Sequence, residues 1–489
     1  MTNLSDQLKN LSPAKRALLE QKLAERNAAS SAIPRRQAAD PRVLSCAQHQ
    51  MWFLDQLAPG MTAYNVPHFV RLRGMIDAAS LKKALDLIVG RHEILRTMYL
   101  PYQGRVIPAV AKQWSVELLE IDVRGTSAAD SSEEMDVLLR EAGSRSFDLA
   151  RDLKLRATLY RLADDRWIFF HLCHHIAWDL QSRIVFYREL EQLYAGLLEG
   201  KEEALPPLPI QYSDYALWQR RHLQGEVLDR LNSYWTRQLA GAPSVLEMPA
   251  DFSRPLVQDT GGVRLPLKLS PEILDASRLL ARENNVTLYM ALLTVFYIFL
   301  HSYSRQEDIS VGSPFDERRL KELEPIIGMF INTLVLRTSL NEKSTLAGLL
   351  PTVRQVVLGA ISHQDLPFDK IVDAVQPVRD QGRMVLFQAN FRLQGASTPH
   401  LQLAGAETEL SRMVDNETSK FDLALELPSV PDGVGYLEYS VSLFKPETAQ
   451  KMADDFQALI RELLDRPGTP LEQIEAFKAV RNRISTVRV

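Results

Sequence analysis

The sequence predicts an α/β protein of two lobes. Three observations carry this: a length of 489 residues, mixed strand and helix patterning in both halves, and one heavily punctuated segment between them. A chain of this length exceeds one ordinary core, so two or three domains are expected. The segment 241–262 holds Pro243, Pro249, Pro255 and the pair Gly261-Gly262, and is read as the inter-lobe connection. Residues 41–240 are then the first lobe, 263–489 the second, and 1–40 an N-terminal helix and linker. Neither half shows a short-period repeat that would indicate a solenoid.

In chain order, Ser12-Pro13 is a helix start, a capping serine followed by proline at the first helical position. Leu18, Leu19 and Leu23 then form a narrow apolar stripe, and residues 28–40, rich in Ala and Ser around Pro34-Arg35-Arg36, read as a linker. This arm either packs on its own domain or is a docking or linker element toward an upstream protein. Residues 166–173 are aromatic and bulky, as in a buried strand. Phe186, Leu190, Leu193 and Leu197 recur at helical spacing, with Arg183, Arg188, Glu189 and Glu191 on the other surfaces. The most apolar stretch, 286–300, contains Thr287 and Thr294 and is shorter than the ~20 residues a membrane span needs. It reads as a buried helix capped by Asn284 or Asn285. The basic end, 478–489 with Arg481, Arg483 and Arg488, reads as a frayed terminus that is also a candidate contact point for a partner.

Composition excludes several classes. Hydrophobic residues at 46%, charged residues at 24% and a net charge of -4 describe an ordinary globular protein with no basic footprint for nucleic acid. Met1 to Lys9 is polar with no apolar core after it, so neither a secretory signal nor a membrane association is expected. Cys46 and Cys173 cannot make a disulfide framework and suit a reducing cytoplasm.

The candidate chemistry lies on the loop between the strand at 166–173 and the helix that follows: Cys173-His174-His175-Ile176-Ala177-Trp178-Asp179-Leu180. Histidine titrates near neutrality and suits proton transfer. Neighbouring residues on a strand face opposite ways, so one histidine is expected to be catalytic and the other structural. Asp179, directly before a helix, is a favoured N-cap. Cys173 in an apolar strand reads as packing rather than as a nucleophile, and opposed histidines without a cysteine cluster give no metal site.

This loop resembles the HHxxxDG motif of condensation domains from nonribosomal peptide synthetases, members of the chloramphenicol acetyltransferase-like acyltransferases. Other motifs of that family follow in its order. Ser45-Cys46-Ala47-Gln48 with Trp52 resembles SxAQxxxW, Arg91 to Thr97 resembles RHExLRT, and Tyr212, Asp214, Ala216 and Trp218 match YxDxAxW. Ile327-Gly328-Met329-Phe330-Ile331-Asn332-Thr333 matches IGxFxNT and His363-Gln364-Asp365-Leu366-Pro367-Phe368 matches HQDxPF. Leu386-Phe387-Gln388 belongs to a looser last motif with Val385 where the family has proline. The resemblance covers about residues 44–471, and its one departure at the centre is Leu180 in place of glycine.

The resemblance implies two chloramphenicol-acetyltransferase-like lobes arranged as a V-shaped pseudodimer with the active site in a central channel. His175 is implied as the catalytic base or orienting group. His174, Asp179 and Arg318, the last in the segment 312–318, are implied as structural support, and Leu180, Gly328, Asn332 and Thr333 as channel or substrate-binding candidates. Tyr212, Asp214, Trp218, His363, Asp365 and Pro367 are read as structural, with the proline fixing a turn and Asp365 taking backbone amides. The implied reaction joins a carrier-bound acyl or peptidyl thioester, of the L-configured branch, to an amine in nonribosomal peptide or hybrid polyketide biosynthesis. No cofactor is expected on the chain itself. The phosphopantetheine arms of a donor carrier and of an acceptor carrier, or a free amine or alcohol, supply the reactants. Ester formation with a hydroxyl acceptor is the close alternative. A catalytically silent carrier-binding platform is the rival, favoured by Leu180, whose side chain would narrow the donor entrance if it faces the pantetheine arm.

Overall fold

The computed structural model describes residues 33–201, 205–395, 400–409, 411–431 and 433–487. The expected helix after Ser12-Pro13 and residues 28–32 of the expected linker lie outside them. The part of that linker which is described does not behave as one. Ile33 is buried, Arg35 donates to the carbonyls of Pro209 and Leu208 at 2.6 and 2.7 Å, and the Arg36 amide donates to Asp214 Oδ1 at 2.9 Å. Two arginines inside an Ala- and Ser-rich stretch tie it to the first lobe.

The first half runs α1 (Cys46–Leu57), β1 (Asn65–Gly74), α2 (Ala78–Arg91), β2 (Thr97–Tyr102), β3 (Arg105–Val110), β4 (Leu118–Asp122), α3 (Ser127–Asp130), α4 (Ser132–Gly143), β5 (Leu155–Arg161), β6 (Arg166–His174), α5 (Leu180–Leu198), α6 (Tyr212–His222) and α7 (Gly225–Leu239). The second half runs β7 (Gly262–Leu267), α8 (Pro271–Glu283), α9 (Leu288–Ser304), β8 (Asp308–Asp316), β9 (Ile331–Ser339), α10 (Leu346–Ser362), α11 (Phe368–Val375), β10 (Ala389–Leu393), β11 (Ala406–Thr408), β12 (Arg412–Met413), β13 (Leu423–Leu427), β14 (Gly435–Ser440), α12 (Pro446–Asp465) and α13 (Glu475–Val487).

These strands make two mixed six-stranded sheets and a β2–β3 hairpin. The first sheet has the order β11-β1-β6-β5-β4, with β12 also on β1, and the second β7-β14-β13-β10-β8-β9. Strand β6, the aromatic run of the sequence, is buried from Ile168 to His174 and pairs with β1 on one side and β5 on the other. Continuous burial explains why its apolar residues do not alternate.

The apolar stretch near residue 290 is helix α9, whose residues from Met290 to Ser304 are all buried in the second core. A helix apolar on every face belongs inside a protein core. Its cap is Thr287, whose side chain accepts from the Met290 amide at 3.2 Å, rather than Asn284 or Asn285. Asn285 instead takes a left-handed turn, φ 52°, after α8, which is the other conformation asparagine tolerates well. Among the described residues no single helix is long and apolar enough to cross a membrane.

As far as residue 487 the basic C-terminal segment is helical rather than frayed. It forms α13, which buries Phe477, Val480 and Ile484 at helical spacing in the second core, while Arg483 pairs with Asp455 of α12. The two cores also cross the expected boundary at 241–262. Leu231, Trp235 and Leu239 of α7 pack in the second core, with Trp235 Nε1 donating to the His363 carbonyl at 3.0 Å. In the other direction Ile326, Ile327, Phe330, Leu401, Leu403 and Val414 pack in the first core, and β11 and β12 pair with β1. Chain order alone cannot reveal such an exchange, because each piece carries only local helix or strand character.

Candidate active site

The sequence places two histidines at the end of β6, and the fold gives them different tasks. His174 is buried, and its Nδ1 accepts the Ile176 amide at 3.1 Å, capping the short 3-10 turn His175–Ala177. Because Nδ1 is an acceptor, the ring proton sits on Nε2. Burial, with help from the nearby Lys154, His175 and Lys420 charges, pushes its pKa down to about 3. His174 is thus a neutral structural cap.

His175 is anchored by its backbone. Its amide donates to the Tyr64 carbonyl at 2.9 Å and its carbonyl accepts the Trp178 amide at 3.2 Å. The ring is half-buried, and Nδ1 is enclosed without a partner. Burial first, then the Lys420 ammonium, lowers its pKa to about 4, against opposing pulls from the His175 and Trp178 backbone and from Asp179. Nδ1 reaches no carbonyl within hydrogen-bond geometry, but the backbone favours a proton on the ring. The imidazole is therefore neutral near pH 7.

Asp179 satisfies both sequence readings at once. As N-cap of α5, its Oδ1 accepts from the Ser182 amide at 2.8 Å and from Ser182 Oγ at 2.7 Å. Arg318 forks onto the same carboxylate, Nη1 to Oδ2 at 2.7 Å and Nη2 to Oδ1 at 2.9 Å, and the Phe330 amide adds a bond to Oδ2 at 3.0 Å. Side-chain exposure is 4% for Arg318 and 1% for Asp179. Arg318 also donates to Ser182 Oγ and the Ile326 carbonyl at 3.1 and 3.2 Å, and lies 4.2 Å over the Phe330 ring. A buried pair with this many bonds is the case in which ionic burial is compensated. The Asp179 carboxylate is taken up by Ser182, Arg318 and Phe330, and so locks the loop to the segment after β8.

The other motifs converge on that knot. Gly328 donates its amide to Ser182 Oγ at 2.9 Å, and a Cβ there would lie 2.2 Å from the Tyr212 ring. Only glycine fits this approach, so the position packs tightly on Tyr212. Tyr212 Oη donates to the Met329 carbonyl at 2.7 Å, with Ser45 Oγ 2.9 Å away. Glu189 of α5 holds His92 and Arg91 at 2.8 and 2.9 Å. Asn332, expected as a channel residue, is buried. Its Nδ2 donates to the Gln364 and Leu366 carbonyls at 2.8 Å each, and its Oδ1 accepts the Phe368 amide at 3.0 Å. It staples the turn of the HQDxPF motif, a pairing between distant segments that no local pattern announces. Asp365 in that turn pairs with Arg319 rather than with backbone amides. Thr333, half-buried, stands on β9 opposite Pro314 of β8.

Leu180 is the first residue of α5 and 52% exposed. It is not among the residues of positive φ, so the backbone here does not require glycine. What leucine changes is the bulk at the entrance to the helix.

Two residues escaped the sequence reading. Ser182 shares its hydroxyl among Asp179, Arg318 and Gly328. Lys420, from the loop before β13, lies with Nζ 4.0 Å from the centre of the Tyr64 ring, whose carbonyl holds His175. Burial lowers its pKa to about 8. A lysine two residues before Asp422 carries no local signal that links it to a histidine in the other half. Among the described residues no cluster of three or more His, Cys, Asp or Glu could hold a metal ion.

A family model described as the condensation domain matches residues 39–483. This chain belongs to the condensation-domain family. It is 38% identical over 435 residues to one of the linear gramicidin synthase proteins of Brevibacillus parabrevis, covering 88% of this chain and 8% of that protein. It is 36% identical over 479 residues to phosphinothricin tripeptide synthetase PhsC of Streptomyces viridochromogenes, covering 96% of this chain and 44% of that protein. The chain thus spans under a tenth of the gramicidin synthase protein and less than half of PhsC. Among solved structures, the X-domain from teicoplanin biosynthesis superposes with a TM-score of 0.82 at 25% identity, over 91% of this chain and 99% of that one. The first condensation domain of the calcium-dependent antibiotic synthetase, in complex with a substrate analogue, superposes with a TM-score of 0.74 at 20% identity, over 90% of this chain and 100% of that one. The condensation-domain fold, with its two sheet-based lobes, is the fold of this chain.

Proposed function

We propose that this condensation domain joins an acyl or peptidyl thioester on a donor carrier to an amine presented by a second carrier or free in solution, with His175 at the reaction centre. The observation that carries this reading is the state of His175: a neutral, half-buried imidazole with no hydrogen bond at Nδ1, on a loop that His174 and Asp179 fix through their own hydrogen bonds. In the tautomer with its proton on Nδ1, this ring presents the Nε2 lone pair to the nucleophile.

The amine nitrogen attacks the thioester carbonyl carbon, and its proton passes to His175 Nε2. Collapse of the tetrahedral intermediate breaks the C–S bond, and the departing sulfur takes that proton, giving amide and free thiol. Positioning of the two reactants supplies much of the rate, with proton transfer added to it. Burial, helped by Lys420, keeps His175 unprotonated, and the Lys420 ammonium opposes negative charge that develops on the carbonyl oxygen.

The test is an intact-mass assay with acyl-loaded carrier proteins and a mixed panel of amines and alcohols, using wild type, His175→Ala and Leu180→Gly. Product of amide mass that vanishes in His175→Ala supports the reading, whereas product of ester mass assigns the hydroxyl acceptor. A second reading is recruitment of another protein, since one structural relative is an X-domain in complex with OxyB. Product from Leu180→Gly but none from wild type would favour that reading, with leucine closing the donor side.

A further inference from the structure

Arg183 stands one turn beyond Asp179 on α5, yet its surroundings treat it in the opposite way. The residue is 8% exposed, and its Nε has no hydrogen-bond partner. Among the described residues the guanidinium makes neither a hydrogen bond nor an ion pair. Burial depresses its pKa, and only Tyr187 and Glu426 lean the other way. An arginine cannot shed its charge, so a buried one without a partner is costly to keep.

Its neighbours explain why no partner is available. On the first sheet it faces His68 of β1 and His171 of β6, whose rings stack at 5.5 Å and whose pKa values it helps to lower. His68 Nδ1 is likewise buried without a partner. On the second sheet Glu426 of β13 already takes Gln394 at 2.9 Å and Arg392 at 3.6 Å. Glu438 of β14 takes Arg264 at 2.9 Å and Arg392 at 3.7 Å. Asp415 bears on Arg264 as well. Four cations, Arg183, Arg264, Arg392 and Lys420, thus line this seam against three carboxylates, and the histidines beside them are neutral. The seam reaches the reaction centre through Lys420, whose charge is felt at His175.

We infer that the seam between the two sheets receives a reactant bearing a carboxylate, and that Arg183 is the residue that reads it. The inference rests on the condensation reading above. A guanidinium matches a carboxylate with two parallel bonds, a geometry a neutral amide cannot reproduce. A reactant without the anion leaves Arg183 unpaired again, so discrimination follows from the cost of that empty state.

The experiment measures kcat/KM by intact mass in two arms, for wild type, Arg183→Met and Arg183→Lys. One arm compares glutaryl with glutaramoyl thioesters on the donor carrier against a fixed amine. The other compares aspartate with asparagine and glutamate with glutamine as acceptors against a fixed donor. Wild type is expected to favour the acid over its amide by about 10- to 100-fold in one arm. That preference falls to near parity in Arg183→Met and is partly retained in Arg183→Lys. The thermal midpoint of Arg183→Met stays equal to wild type or rises, since an uncompensated charge has been removed. Preference in the donor arm puts the carboxylate on the acyl group, and preference in the acceptor arm puts it on the amine; either supports the inference. Product without acid preference in both arms overturns it, as does a preference that survives Arg183→Met. An equal loss of both rates with a lowered midpoint also overturns it, in favour of a structural role. If wild type makes no product from any pair, the condensation reading falls, and this one with it.

Discussion

Asp179 and His175 lie four residues apart on one loop and illustrate opposite uses of a polar side chain. Asp179 accepts bonds from Ser182, Arg318 and Phe330, so that nothing about its carboxylate is left to offer a substrate. His175 offers a ring held only through its backbone, with Nδ1 unpartnered. Saturation fixes a loop, and an unmet hydrogen bond on a half-buried ring is what a reactant can use.

The contrast is broken most sharply by removing the free member. His175→Ala is expected to reduce kcat by about 10²- to 10⁴-fold, the usual worth of a positioned general base, while leaving the thermal midpoint close to wild type. Single-turnover amide formation beside a melting curve tests both halves of that statement. Removing a saturated member should do the reverse. Arg318→Leu leaves the buried Asp179 carboxylate without its counter-ion, and is expected to cost about 3–5 kcal/mol of stability by denaturant titration, with activity falling in step with the folded fraction.

A finer version uses pH. Near neutrality the buried His171 and His174 and the half-buried His175 are neutral in the folded protein, with pKa values of about 3, 3 and 4. Unfolded histidines protonate near 6.5, so stability is full above that pH and declines as the pH falls toward 4, where the unfolded chain alone has gained protons. The acid limb of kcat/KM should lie near 4 for the same reason. Lys420→Met removes a positive charge that opposes protonation of His175, so that limb should move upward toward the ordinary histidine value, in a pH–rate profile with a neutral acceptor amine. An unmoved limb would separate Lys420 from the reaction centre. The smallest effect belongs to Leu180→Gly. Glycine in the first turn of α5 is expected to lower stability by roughly 0.5–1 kcal/mol, with no relief of backbone strain, since Leu180 has none.

What is legible in the chain divides along the same line. The strand before His174, the helix after Asp179 and the pairing of Asp179 with Arg318 can be read there, the first from its bulky apolar run, the second from periodicity and the third from the family resemblance. Asn332 misleads because a buried asparagine stapling a turn and one lining a channel have the same local sequence. The cap of α9 lies two or three residues from its expected place, since asparagine and threonine are both good caps and only Thr287 faces the amide of Met290. Ser182, Arg183 and Lys420 do not stand out as site residues because their meaning lies in partners more than a hundred residues away, or in the lack of one. Local composition describes elements well and describes meetings between elements poorly.

Strands β11 and β12 belong to the second half by sequence and to the first sheet by pairing. Cutting the polypeptide between residues 241 and 262 would leave β1 with an uncovered edge, and the first half without Leu401, Leu403 and Val414 in its core. A bare strand edge is a template for self-association. The isolated halves are therefore expected to aggregate when produced apart and to recover solubility only when produced together. An engineer grafting this unit into a synthetase must transplant it entire, because exchanging one lobe also exchanges part of the other's sheet.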